Sequence, residues 1–415
     1  MKRFFLFALA ATALAACSTD TLEMPITNNV IWYTSSDGNV IEPYSGNLNS
    51  NATAMQLFGA NITSNTYENG VGVITFDGDV TTIGNWAFYD CSSLTSVTIP
   101  DSVTTIGYGA FYDCTALTSV TIGNSVTTIG SEAFAYCSAL TAFYGKFASA
   151  DNRCLIVDGV LTYFAPAGLT EYTIPDSVTT IGSSAFHSCS SLTSVTIPDS
   201  VTTIGSPAFR YCDALKTFYG KFASEDNRCL IVDGVLNSFA PAGLTEYTIP
   251  DSVTTIGSSA FHSCSSLTSV TIGNGVTTIG NNAFRDCDAL TSVTIGNGVT
   301  EIGNSAFWDC SALTSVTIPD SVTTIVFCAF SRCDALTSVT IGNGVTTIGD
   351  NAFRDCDALK EVYCKPTTPP SLGSSSVFDN NSSDRKIYVP TASVDAYKSK
   401  PYWRGYASAI YPYEF

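Results

Sequence analysis

Basic residues are scarce: 18 Lys and Arg stand against 36 Asp and Glu, a formal net charge of −18. No Lys/Arg cluster interrupts that acidity, which argues against nucleic acid as a partner and against an electrostatic hold on anionic lipid. Histidine is scarcer still. His187 and His262 are the two in the chain, and they occupy the same position in duplicated blocks. A nucleophile–base–acid constellation needs a setting that occurs once, whereas the Ser and Asp residues near these histidines recur along the whole chain. Phosphate-binding and dinucleotide-binding glycine motifs are missing. The His187-x-Cys189 and His262-x-Cys264 pairs lack a second half for a zinc site. The acidic turns Asp77-Gly78-Asp79, Asp286-Cys287-Asp288 and Asp355-Cys356-Asp357 lack the spacing of a calcium loop. No catalytic residue, metal or cofactor is expected.

What is there is repetition. The stretch Leu94-Thr95-Ser96-Val97-Thr98-Ile99-Pro100-Asp101-Ser102-Val103-Thr104-Thr105-Ile106-Gly107, closed by Ala110-Phe111 and Cys114, returns every 23 residues. Cys91, Cys114, Cys137, Cys189, Cys212, Cys264, Cys287, Cys310, Cys333 and Cys356 mark the period; two steps are 52, an insertion of 29 in each. A fixed period in the twenties is the signature of a solenoid. Leu-x-x-Val-x-Ile is a strand with one buried face. Pro-Asp, or Gly-Asn in other copies, turns the chain. Ala110, Phe111 and Cys114 fall at i, i+1 and i+4, which predicts an inward-facing helical turn. One coil alone cannot cover its apolar face, so coils must stack, with a rise of about 4.8 Å set by a parallel ladder. Thirteen strand openings from Val71 to Leu359 predict about thirteen coils. The fold class expected is an α+β repeat solenoid with a parallel β-sheet, short helical turns opposite and non-repeat caps at both ends.

The motifs Leu-x-x-Val-x-Ile-Pro, Val-Thr-Thr-Ile-Gly and Ala-Phe-x-x-Cys resemble the BspA-like branch of the leucine-rich repeats, over about residues 70–365. The resemblance implies a bacterial secreted or cell-surface protein; adhesion to host matrix proteins or to other cells is ascribed to some members.

Lys2-Arg3, the apolar run Phe4 to Ala13 and the lipobox-like Leu14-Ala15-Ala16-Cys17 predict a signal peptide over 1–16, with lipidation at Cys17. The run is too short to span a bilayer, so contact with membrane is expected through the lipid anchor alone. Outer-membrane attachment at the cell surface follows as the expected location. Removing 1–16 leaves 16 basic against 36 acidic residues. A lipidated tether is expected over 17–30, an N-terminal cap over 31–70 with a hairpin turn at Asp37-Gly38, and the solenoid over 71–365. Hairpin insertions are expected at about 144–168 and 219–243, around Asp158-Gly159 and Asp233-Gly234, and a C-terminal cap over 366–415.

The repeat cysteines sit at an apolar position once per coil, where a thiol packs as a small hydrophobe. Neighbouring Cβ vectors would be parallel, poor geometry for disulfides. Comparing the copies exposes one variable stripe. The residues just after the repeat Phe are Tyr89, Tyr112, His187, Arg210, His262, Arg285, Trp308 and Arg354 among others, followed by Tyr136 and Tyr211 one position later, with Trp86 beside them. Free drift at exposed positions gives Lys, Glu, Ser and Asn; aromatics and Arg are the types enriched at binding hot spots. The stripe is therefore the candidate binding surface, for a protein ligand of host matrix or cell surface, or for a glycan. The flat Ser-x-Thr face of the sheet is the competing surface.

Overall fold

The computed structural model describes residues 27–43 and 53–415. They form two compact units, one ending at Val157 and one running from Asp158 to Phe415. Both are β-solenoids with little helix, and the strands describe about fourteen turns.

In the first unit, strands Leu94–Thr98, Ser119–Ile122 and Ala142–Gly145 pair in parallel, Val97 opposite Val120 and Val120 opposite Phe143. A second parallel ladder joins Thr82–Ile83, Thr105–Ile106 and Thr128–Ile129. Each pairing is offset by one repeat, so like side chains stack on like. Phe88, Phe111 and Phe134 form a column with ring centroids 5.0 and 5.2 Å apart and planes within 4°. The column is closed at one end by the helix Ala54–Phe58, whose Thr53–Gln56 capping box satisfies its first turn and whose Phe58 meets Phe88 at 5.9 Å.

The sequence predicts Val71–Phe76 as the first repeat strand. Instead Val30–Ser35 lies between it and Leu94–Thr98, antiparallel to both. Asp37 and Gly38 form a bend, and Val40-Ile41 is not a strand. Leu94–Thr98 therefore has its free edge covered by an antiparallel strand.

In the second unit one short-strand ladder runs from Val235–Phe239 through Thr255–Ile256, Thr278–Ile279, Glu301–Ile302, Thr324–Ile325 and Thr347–Ile348 to Ser371–Leu372. Cys229–Val232 pairs antiparallel with Val235–Phe239 across Asp233-Gly234, both with φ above +45°, the two-residue turn that matches strand twist. The second arm of this hairpin is a rung of the ladder, Leu236 opposite Ile256. The ring column Phe261, Phe284, Phe307, Phe330, Phe353 and Phe378 keeps spacings of 4.7–5.6 Å. Tyr397 and Trp403, both fully buried, donate to the carbonyls of Pro366 and Pro370 at 2.7 Å.

The helical turn expected opposite the sheet is absent, and the backbone bonds explain it. Ala87, Tyr89 and Cys91 N–H donate within their own coil, to Gly84, Trp86 and Phe88. The alternate residues Trp86, Phe88 and Asp90 donate to Tyr108, Ala110 and Tyr112 of the next coil. Half of the amides are thus committed between coils, and no i→i−4 run can form. Trp86 and Asp90 take φ of +61° and +56°, and the same two positions are left-handed in coil after coil, as at Asn282 and Asp286. The segment is a chain of tight turns.

Candidate ligand-binding surface

The turn segments carry the variable residues. In the first unit Trp86, Tyr89, Tyr112 and Tyr136 come together, and Tyr108 joins them. Trp86 lies 5.4 Å from Tyr89, 4.9 Å from Tyr108 and 5.4 Å from Tyr112, edge-on to each. Tyr89 stacks on Tyr112 at 5.7 Å, and Tyr112 meets Tyr136 at 4.9 Å. The Tyr108 hydroxyl donates to Glu132 Oε2 at 2.7 Å. Tyr108 is 39% exposed and the others are half-buried, so the cluster is a continuous aromatic surface. Gly109 makes room for it. A Cβ there would lie 2.5 Å from the Trp86 ring, and its φ is +59°.

In the second unit His187, Arg210, Tyr211, His262, Arg285 and Trp308 form a polar cluster through stacking and hydrogen bonds. Tyr211 meets His187 at 5.2 Å and His262 at 5.3 Å. Arg210 Nη2 donates to the Tyr211 hydroxyl at 2.8 Å and to His262 Nε2 at 2.7 Å. Guanidinium can only donate, so Nε2 is the acceptor, and the His262 proton sits on Nδ1, directed at Ser263 Oγ 2.7 Å away. Burial, then Arg210, Arg285 and His187, hold His262 down to about 3, and burial with Arg210 holds His187 to about 4. Asp286 Oδ2, 3.5 Å from His262 Nε2, therefore faces a neutral ring and makes its ion pair with Arg285 at 3.6 Å. Arg285 and Arg332 flank the Trp308 ring at 4.2 and 5.0 Å, cation–π geometry. Arg354 stands apart, paired with Asp355 at 3.6 Å. Cys17 lies outside the described residues.

Left-handed backbone separates these residues from ordinary surface. Elsewhere the two left-handed positions mostly hold Asn, Asp, Ser or Gly, as at Asn282, Asp113, Ser259 and Gly109, with Glu132 and Cys328 the other exceptions. Trp86, Tyr136, Tyr211 and Arg332 sit there with φ of 61°, 60°, 59° and 61°, at a steric cost of about 1–2 kcal/mol each.

Most repeat thiols bond into the core. Cys114 Sγ donates to Phe88 O at 3.0 Å, and Cys287, Cys310, Cys333 and Cys356 repeat the bond at 3.0–3.2 Å to the Phe of the preceding coil. On the sheet side the threonines that directly follow the repeat Leu are hydrogen-bonded too. Thr118, Thr193, Thr268 and Thr337 hydroxyls donate to the carbonyl one coil earlier at 2.9–3.0 Å.

Sequence comparison of the copies does not single out the last strands of the second unit. There Tyr363, Tyr388 and Tyr411 replace the outward Thr of the repeat. The signal is a Thr-to-Tyr change in copies already too degraded to align by their cysteines.

The family model for the BspA type leucine rich repeat region matches in six copies over residues 61–149, 162–224 and 236–396. A leucine-rich cell surface protein from Faecalibacterium prausnitzii is 32% identical, with 73% of this chain and 86% of that chain covered and a TM-score of 0.49. A leucine-rich repeat protein from Eubacterium ventriosum is 25% identical, covering 78% and 94%, at a TM-score of 0.55. One from Bacteroides ovatus is 28% identical, covering 86% and 92%, at 0.45. No curated protein matches the chain. With well over half of its length matched by the repeat family, the chain belongs to the BspA-type leucine-rich repeats, alongside bacterial surface proteins of that class.

Proposed function

We propose that this protein is a non-catalytic binding or adhesion protein of the bacterial cell surface, exported by a signal peptide at 1–16 and anchored to the outer membrane by lipid on Cys17. Its ligand is a protein of host matrix or of another cell, held on the aromatic and Arg-rich turn surface. One observation carries the reading: Trp86, Tyr136, Tyr211 and Arg332 occupy left-handed positions that Asn, Asp, Ser or Gly fill in most other coils. Bulky side chains kept where the backbone resists them point to a role for the side chain. Tyr, Trp and Arg are also the anchors of protein interfaces. The chemistry of the one buried histidine agrees with a non-catalytic role, since its basic nitrogen already accepts from Arg210.

The test is binding of the full chain, purified in mild detergent, to immobilised fibronectin, fibrinogen, laminin and collagen, beside a glycan array. Protein binding that falls at least tenfold in Trp86→Ala/Tyr112→Ala or in Arg210→Ala/Arg285→Ala supports the reading. Signal confined to neutral glycans would transfer it to glycan capture for nutrient uptake. Mass spectrometry of protein isolated from its own membrane should show a diacylglyceryl group on Cys17; an unmodified thiol removes the anchor.

A further inference from the structure

At the end of the second unit the outward face of the sheet changes chemistry. One register column reads Thr317, Thr340, Tyr363, Tyr388, Tyr411 along strands Ser315–Ile318, Ser338–Ile341, Glu361–Cys364, Lys386–Pro390 and Ile410–Tyr413. The Tyr363 and Tyr388 rings stack 4.9 Å apart, 16° from parallel. Tyr413 meets Tyr363 edge-on at 5.3 Å and Phe415 at 4.9 Å. Plugging the apolar column does not require them, because Tyr397 and Trp403 fill that role from the buried side. Tyr411, Tyr413 and Phe415 are instead 42%, 41% and 52% exposed.

Beside these rings lies a cleft of about 620 Å³, with Pro390, Tyr413 and Phe415 on its apolar side and Lys365 on its polar side. Glu414 at its rim accepts from Thr391 Oγ1 at 2.5 Å. Lys365 is half-buried, and its ammonium has neither hydrogen bond nor ion pair among the described residues. The charge balance inverts in the same region. Residues 360–415 hold seven of the 18 basic residues and five of the 36 acidic ones, so this stretch is net positive in a chain of −18.

Exposed aromatic rings, a lone lysine and a shallow cleft describe a site for a ring-shaped ligand that carries a carboxylate. A peptide adding itself as a strand is disfavoured, because Pro412 in the outer strand Ile410–Tyr413 has no N–H to offer. Non-specific attraction of a polyanion is excluded by the chain's own negative charge, so binding has to be local. We infer that this corner is a second binding site, distinct from the turn surface, for a carboxylated polysaccharide. Sugar rings lie on Tyr413 and Phe415, and a uronate carboxylate pairs with Lys365.

Calorimetric titration of the full chain in mild detergent with octagalacturonate, and with the same oligomer fully methyl-esterified, tests it. The ester keeps the rings and removes the charge. Binding to the acid form is expected, at least tenfold weaker for the ester. Tyr413→Ala/Phe415→Ala should abolish it, and Lys365→Gln should weaken acid binding to the level of the ester. If the double variant unfolds by circular dichroism, Lys365→Gln decides alone, because that side chain holds nothing in place. Absence of binding to the acid form, equal binding of the ester, or unchanged binding in Lys365→Gln overturns the inference. So does loss of binding in Trp86→Ala/Tyr112→Ala, which tests the turn surface; retention there keeps the two sites separate.

Discussion

Most repeat cysteines in this chain are core residues with a bonded thiol. The Cys114, Cys137, Cys212 and Cys287 thiols donate to a Phe carbonyl that already accepts the N–H of the Cys three residues on, as Phe88 does from Cys91. Removing the sulfur leaves that carbonyl with one partner and opens a small cavity. Cys287→Ala should therefore lower the unfolding free energy by about 1–2 kcal/mol in urea titration; no change would mean that the thiol bond is idle. Burial also raises the thiols: Cys91, Cys229 and Cys364 are pushed up to about 12. Iodoacetamide at pH 8 should modify Cys328, which is half-exposed and outside the column, before any repeat cysteine, read by peptide mass mapping. Gly109 shows the other side of single-residue control. Its φ of +59° and the 2.5 Å approach of the Trp86 ring both forbid a side chain, so Gly109→Ala should cost about 1–3 kcal/mol and shift Trp fluorescence as the ring is displaced.

At the level of the element, the strand and the turn were legible to different degrees. Leu-x-x-Val-x-Ile announces its buried face by period-2 alternation, and the 23-residue offset of the parallel pairs between regular repeats follows from the Cys spacing. The segment after Gly107 was not legible as non-helical, because Ala110, Phe111 and Cys114 satisfy the helical period as well as they satisfy a chain of turns. What decides between them is the demand of the neighbouring coil for every second amide, and that demand is visible only once coils are stacked. Val30–Ser35 was hidden for the same reason: insertion beside Leu94–Thr98 depends on an exposed edge, which no local pattern records. The stripe could be listed by position, but its division into an aromatic cluster around Trp86 and a polar one around His262 came from side-chain directions. The polar cluster makes a pH prediction. His262 is surrounded by Arg210, Arg285, Asp286 and His187. Its folded value, about 3, lies below the ordinary 6.5, so the unfolded chain takes the proton first. The stability it contributes is complete above about pH 6.5 and is lost as the pH falls towards 3. Asp286, raised by burial, acts in the opposite sense and masks part of the loss. Comparison with a variant isolates the histidine: His262→Gln, which still offers Arg210 an acceptor, should lose roughly 1–3 kcal/mol less than the parent between pH 7 and 4.5. Equal acid sensitivity in parent and variant would show that the ring is not held neutral.

For the molecule as a whole, the balance to explain is a chain of −18 with little to neutralise it. The Arg-carboxylate pairs seen in the stripe join sequence neighbours, Arg285 to Asp286 and Arg354 to Asp355, and both are substantially exposed, where such pairs contribute little. Cohesion comes from the apolar columns and from backbone bonds between coils, neither of which salt screens. Repulsion among the 36 carboxylates is screened, over a length of about 10 Å at 0.1 M salt. Raising NaCl from 0.02 to 0.5 M at pH 7 should therefore lift the melting temperature by about a few degrees, the opposite of a fold held by surface ion pairs. Binding at the Lys365 cleft has the reverse dependence, since it sets one cation against a carboxylate ligand, and its affinity should fall over the same range. The two measurements separate the chain's global charge from its local one. If stability and uronate binding moved together with salt, the inverted charge of residues 360–415 would not be acting as a site.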